Sequence, residues 1–181
     1  GSTLLINNTV ISDNSAGLDG GGIYLYRSRM ESDNSSISMN SALNNGGGMY
    51  FDASFLSAIA SLMHANVANR GGAVMAVLAS SISLDASSFN GNIARLHGGA
   101  FFVDRSSLAA SRSTINGNTA VAHGGGLFVT ASLFVQLIEG SSVEGNVAVN
   151  GAGGGTYSST SSVSVINSSI SSNIAKTHGA G

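Results

Sequence analysis

The chain has 181 residues, 43% of them hydrophobic and only 9% charged, with a formal net charge of −2, 25 Gly and no Pro, Cys or Trp. Without Cys there is no disulfide framework and no thiolate metal site, and without a basic excess there is no electrostatic footprint for nucleic acid. The apolar content excludes a disordered chain, which is poor in such residues and rich in charge, and no apolar run approaches the roughly 18 residues that cross a bilayer.

In chain order, Leu4 and Ile6 come first, at strand alternation. Thr9, Ile11 and Asn14 follow, with Ala16 two residues after the Asn. Next come Gly20-Gly21-Gly22, and Ile23-Tyr24-Leu25 closes the unit. The same order then recurs. Asn14, Asn40, Asn66, Asn92, Asn118, Asn146 and Asn173 are each followed two residues later by Ala; the first four steps are 26 residues, the last two 28 and 27. Three residues before each Asn stands Ile11, Ile37, Met63, Phe89, Ile115, Val143 or Ile170. Two residues before that stands Thr9, Ser35, Ser61, Ser87, Ser113, Ser141 or Ser168. A Gly cluster follows each Asn.

The segments are short, alternate apolar with other residues and are interrupted by Gly, which specifies strands and not helices. A period of this length built from short strands specifies a solenoid. The fixed Leu spacing and per-repeat helix of leucine-rich repeats are absent, and 26 residues do not divide into six-residue units. The expected fold is therefore all-β: a right-handed parallel β-helix of about seven coils, one segment over 1–181. Gly and Asn are expected to supply the positive-φ corners.

Stacking coils turns equivalent positions into columns. Ile23, Met49, Val74, Phe101, Leu127 and Leu25, Phe51, Ala76, Val103, Val129 are expected inside, as are Leu4, Met30, Leu56, Ile82, Leu108 and Ile6, Ser32, Ala58, Leu84, Ala110. Two surplus residues fall between Val129 and Val143. The Asn column is expected to be structural, each amide pairing with its neighbours at a bend, because a buried polar group left unpaired costs roughly 1–3 kcal/mol.

Gly71-Gly72-Ala73-Val74, Gly98-Gly99-Ala100-Phe101 and Phe89-Asn90-Gly91-Asn92 resemble the Gly-Gly-Ala-Φ and Phe-x-x-Asn signatures of the chlamydial polymorphic outer-membrane proteins. Other copies carry Gly-Gly-Gly in place of Gly-Gly-Ala, or Ile, Met or Val in place of Phe. The resemblance implies a right-handed β-helix of the pectin-lyase-like fold carried at a cell surface, and in that family an autotransporter passenger acting as an adhesin. The expected location is extracellular or cell-surface, outer-membrane-attached in a bacterium. Neither end of the sequence resembles a cap, so a piece of a longer solenoid, or end-to-end stacking of chains, is expected.

The sharpest binding candidate is the column Tyr24, Tyr50, Met75, Phe102, Phe128 and Tyr157. Its neighbours on both sides are interior positions, so alternation points it outward. It is read either as sheet-stabilising stacking or as a face for another protein chain, a second copy or a glycan. His97 and His123 precede their Gly clusters at equivalent positions, as does His178, but Asp19, Asn45, Arg70 and Asn150 occupy this place or its vicinity in other copies, which makes a polar corner and not a metal cage. No cofactor is expected. Asp52 and Asp104 share an outward column with Val77 between them and Arg105 beside Asp104; this is a poor match for the paired carboxylates of a glycosidase, and an enzyme is not expected. Ice binding fares no better, because the column Val10, Ser36, Leu62, Ser88, Thr114, Ser142, Ser169 is mixed. Asn7, Asn34 and Asn167 head N-glycan sequons, relevant if the chain is secreted by a eukaryote. The sequence favours a non-enzymatic rigid rod, filament block or adhesin stalk.

Overall fold

The computed structural model describes residues 1–132 and 134–181. The first coil carries four strands: β1 (Thr3–Asn7), β2 (Val10–Ser12), β3 (Ser15–Ala16) and β4 (Ile23–Tyr26). Each founds a parallel sheet to which the later coils each add a strand, except that the seventh adds none to the fourth sheet, giving sheets of seven, seven, seven and six strands among the described residues. The described residues are all-β, a parallel β-solenoid of about seven turns. The register follows the repeat: Leu4 pairs Met30, Ile11 pairs Ile37, Ala16 pairs Ala42 and Ile23 pairs Met49.

The four expected interior columns line one continuous core, with Met49, Phe51, Met30, Leu56 and Phe101 fully buried. Ser32, the polar member of one of them, meets the Ser61 hydroxyl at 2.9 Å.

The coil turns at four corners, each made by a residue in the left-handed region, or by two in succession at Leu78-Ala79 and Glu139-Gly140. Gly20, Gly46, Gly71, Gly98, Gly124 and Gly153 make the corner before β4 and its counterparts. The other three corners use mainly non-glycine residues: Asn8, Asn34, Ala60, Ala86 and Arg112 before β2 and its counterparts; Asp13, Met39 and Ala65 before β3 and its counterparts; Arg27, Ala53, Arg105 and Ala131 before β5 (Arg29–Asp33) and its counterparts. Gly and Asn thus supply only part of the turning. The recurring Asn column itself sits one residue past its corner. The Gly clusters have a second use: a Cβ on Gly99 would collide with the Gly125 carbonyl oxygen of the next coil.

After every non-glycine corner comes a polar column that ties coils together. The Oδ1 of Asn66 accepts from the Asn40 backbone N–H at 3.0 Å and from Asn40 Nδ2 at 3.1 Å. Asn66 Nδ2 donates onward to Asn92 Oδ1 at 3.0 Å and also to the Ile37 carbonyl at 2.9 Å. Asn92 repeats this with Met63 and Asn118, and Asn118 with Phe89 and Asn146. The Φ-x-x-Asn spacing follows from this geometry, since the Φ carbonyl accepts from the Asn of the following coil. Asn40, Asn66, Asn92, Asn118 and Asn146 are fully buried. The Thr9–Ser35–Ser61 column works similarly: Ser35 Oγ donates to the Asp33 carbonyl at 2.8 Å and accepts the Thr9 N–H at 3.1 Å.

Variation in coil length is absorbed at corners. Met49 pairs Val74 at a step of 25, and Leu78 and Ala79, both at positive φ, restore the register so that Ser54 meets Ser80 at 26. Of the two surplus residues expected between Val129 and Val143, one falls between Ser132 and Phe134, at Leu133, outside the described residues. Ser106 bonds Ser132 at 26, while Ser107 pairs Phe134 at 27. The other is taken up at the Glu139–Gly140 turn, after which Ser113 bonds Ser141 at 28.

Two outcomes test this account. Asn92→Ala strands the Asn66 N–H, one Asn66 amide proton and the Met63 carbonyl, and is expected to lower unfolding free energy by about 3–9 kcal/mol, at roughly 1–3 kcal/mol per unpaired buried group. Ala60→Gly relieves a left-handed L-residue, worth about 1–2 kcal/mol, against an entropic cost of about 0.5–1 kcal/mol. It is therefore expected to raise stability by about 0.5–1 kcal/mol. Chemical denaturation of both variants measures each change.

Candidate functional site

The strands of the fourth sheet place Tyr24, Tyr50, Met75, Phe102, Phe128 and Tyr157 in register, each paired with the next across coils. Alternation sends them away from the core: Met75, Val77 and Phe102 form a second apolar cluster, with Tyr50 and Phe128 against it, separate from the interior one. The rings stack nearly parallel along the rod. Tyr24 lies 5.1 Å from Tyr50 at 6°, Phe102 4.8 Å from Phe128 at 15°, and Phe128 5.0 Å from Tyr157 at 8°. Met75 interrupts the series between Tyr50 and Phe102.

This outward column is unevenly exposed. Tyr24 is 54% exposed, but Met75 is 7% and Phe102 9%. The sequence pattern gave the direction of the column and not this burial, because the cover comes from an adjacent corner. There Asp19, Asn45 and Arg70 are bridged in series, and Arg70 pairs His97. Arg70 lies over the Phe102 ring at 6.0 Å, His97 packs 4.7 Å from Phe128, and His123 4.9 Å from Tyr157. His97 and His123 stack at 5.4 Å and 4°. His123 Nδ1 accepts the Ala152 N–H at 3.0 Å, which places its ring proton on Nε2, whereas His97 Nδ1 is buried without a protein partner. Burial, then His123 and Arg70, push the His97 pKa below its ordinary value of about 6.5. One surplus residue before the last Gly cluster puts Ala152, and not Asn150, in the corner position above His123: the Gly124 N–H bonds the Ala152 carbonyl as the Gly98 N–H bonds that of His123. At the other end of the column, burial, then Asp19, Asp52 and Tyr24, raise the pKa of Tyr50.

Parallel stacking uses the π-faces of these rings on one another and presents their edges outward. Among the described residues, Tyr24 and Tyr157, at the two ends of the column, each have one face with no column ring on it, and Met75 stands in place of a ring between Tyr50 and Phe102. The other candidates are more scattered. Asp104 is held by its neighbour Arg105, with Nη2 to Oδ2 at 3.0 Å. Among the described residues no group of three His, Asp or Glu is arranged to hold a metal ion. Asn7, Asn34 and Asn167 are exposed. Asn34 and Asn167 occupy the same positive-φ corner, and Asn34 Nδ2 donates to Asn8 Oδ1 at 2.6 Å.

A second serine column, not singled out from the sequence, runs Ser28, Ser54, Ser80, Ser106, Ser132, Ser161. Each backbone N–H donates to the hydroxyl one coil on, as Ser54 does to Ser80 at 3.1 Å. Its signal was present as five Ser at 26-residue steps from Ser28 to Ser132.

Residues 8–26 match the family model of the Chlamydia polymorphic membrane protein repeat, which bears out the resemblance carried by the Gly-Gly-Ala-Φ and Φ-x-x-Asn signatures. The match lies within one coil, from the β1–β2 corner through β4. No curated protein and no solved structure matches the chain.

The His97 geometry sets a pH dependence. Its folded pKa is depressed, so the unfolded chain binds the proton more readily, and stability falls as pH drops below about 6.5. Arg70 and His123, the charged and titratable groups packed against it, oppose a further positive charge there. Denaturation midpoints measured from pH 7.5 to 5 are expected to decline for the wild type, and His97→Gln is expected to flatten that slope.

Proposed function

We propose that the chain is a non-enzymatic, rigid structural segment of a cell-surface protein, a rod or stalk in which coil-to-coil columns set length and stiffness. The observation that carries this reading is the use of the aromatic column: its rings stack largely on one another, Phe102 and Phe128 are covered by Arg70 and His97, and Tyr157 by His123. A pyranose that binds by stacking needs an open ring face, which Phe102 and Phe128 do not offer. Seven coils at about 4.8 Å make a segment of about 34 Å. The match of residues 8–26 to a repeat of polymorphic membrane proteins supports a surface location.

A second reading, an adhesin face for a host protein or glycan, draws on Tyr24 and Tyr26, which are 54% and 51% exposed. Arg27 lies over the Tyr26 ring at 4.9 Å, leaving a polar-aromatic edge at the first coil.

Melting and binding separate the two readings. Phe102→Ala removes a ring stacked on Phe128 and is expected to cost about 2–4 kcal/mol, from a buried aromatic and its stacked contact. In the same purified protein, Tyr24→Ala is expected to leave binding to an array of glycans at the wild-type level. A glycan signal that disappears in Tyr24→Ala while the melting curve is unchanged would overturn the structural reading in favour of the adhesin.

A further inference from the structure

Among the four tyrosines, two are placed for chemistry that stacking alone does not explain. Tyr24 and Tyr50 lie one coil apart with ring centroids at 5.1 Å and planes at 6°. Tyr24 is 54% exposed and Tyr50 is half-buried, so an oxidant reaches the pair from solvent and Tyr24 has room to tilt. The chain has no Cys and no Trp, leaving the phenols as its readiest one-electron donors. Tyr157 stacks on Phe128, and Tyr26 pairs across the coil with Asp52; neither has a tyrosine as its column neighbour.

We propose that Tyr24 and Tyr50 form an oxidative modification site, at which a peroxide acting through a haem peroxidase joins the two rings as an intramolecular dityrosine that staples the first coil to the second.

The step balances. Each phenol gives up one electron and its O–H proton, leaving two phenoxyl radicals. The peroxide O–O bond breaks, and the two electrons and two protons leave with it as two waters. A carbon–carbon bond forms between ring positions ortho to the two oxygens, Cε of Tyr24 to Cε of Tyr50. The hydrogen displaced from each of those carbons moves through solvent to the adjacent phenoxyl oxygen, restoring both aromatic rings and both hydroxyls. Asp19 and Asp52, whose charges help keep the Tyr50 phenol protonated, are carboxylates close at hand to take its proton as the electron leaves. The closed loop spans the 26-residue step from Tyr24 to Tyr50, and it ties together two coils otherwise joined by hydrogen bonds and packing.

The test treats dilute purified protein with a haem peroxidase and hydrogen peroxide. It follows dityrosine fluorescence, migration on a denaturing gel, and the mass of proteolytic fragments. The expected product migrates as a monomer, has lost two hydrogen atoms, and contains the Tyr24 and Tyr50 peptides joined. Its rate is independent of protein concentration. Tyr24→Phe and Tyr50→Phe, which keep the stacked ring and hence the fold, are each expected to abolish this product. Tyr26→Phe and Tyr157→Phe are expected to retain it. Circular dichroism of each variant verifies that folding is unchanged. Absence of dityrosine in the wild type, equal yield in Tyr50→Phe, or formation only of covalent dimers whose rate scales with concentration would each overturn the proposal.

Discussion

Everything in this solenoid depends on one constraint: each coil must present its backbone to the next in register, and it must turn four times to do so. A turn of this tightness requires a residue in the left-handed region, where an L-side chain is disfavoured by about 1–2 kcal/mol. It also interrupts the strand hydrogen bonds, so backbone groups beside it need other partners. The chain meets both needs with one local device, a left-handed residue followed by a side chain that bonds to the neighbouring coil. At two corners that side chain is Ser or Thr, donating to the carbonyl two residues back and accepting the preceding coil's N–H. At the third it is Asn, whose amide has the donors and acceptor to make four bonds at once. At the fourth, the bare Gly backbone bonds directly to the next Gly cluster. The abundance of Ser, Asn and Gly is thus corner chemistry repeated once per coil.

A stack of near-identical coils also selects side chains by whether they tolerate their own kind at about 4.8 Å. Amides and hydroxyls do, because each is donor and acceptor together. Aromatic rings do, by offset stacking. Like charges do not. This accounts for the low charge content, and for its arrangement where charge occurs: Arg112 reaches both Asp85 and Glu139, on the coils either side of it. The corner beside the aromatic column runs Asp19, Asn45, Arg70, His97, so no fixed charge faces its like across a single coil. His97 and His123 are the one adjacent pair of titratable groups of the same type there, and the pair is tolerated while the imidazoles are neutral.

Much of this was legible because the constraint is periodic. The alternation of Ile23-Tyr24-Leu25 and its five later echoes located the fourth sheet, the interior columns and the direction of the aromatic column. The 26-residue Asn spacing located the amide ladder. What was not legible depends on contacts between columns. The burial of Phe102 comes from Arg70 and His97, twenty-seven residues apart on a neighbouring corner, and nothing in either residue's own spacing signals it. Positive φ at Ala53, Ala60, Ala65, Ala86 and Ala131 is invisible to a reading that looks for Gly and Asn at turns. Position in the coil, set by the strands on either side, overrides the residue's own preference. The second serine column escaped notice because single Ser residues are common in a Ser-rich chain and only the register reveals the series.

The aromatic column ties structure to function through what stacking leaves over. A ring covered on both faces has lost its surface for a sugar or a planar partner, so Phe102, between Met75 and Phe128, and Phe128, between Phe102 and Tyr157, are committed to the rod. Its rim remains outward, and for a phenylalanine that rim is inert hydrocarbon. For a tyrosine it carries the hydroxyl and the ortho carbons, the positions where phenol chemistry happens. Met75 then matters more than its modest size implies. It breaks the series after Tyr50, confining the phenol pair to the first two coils and the purely apolar stack of Phe102 on Phe128 to the middle. The same outward column is thereby packing material along its centre and a chemically distinct edge at Tyr24 and Tyr50.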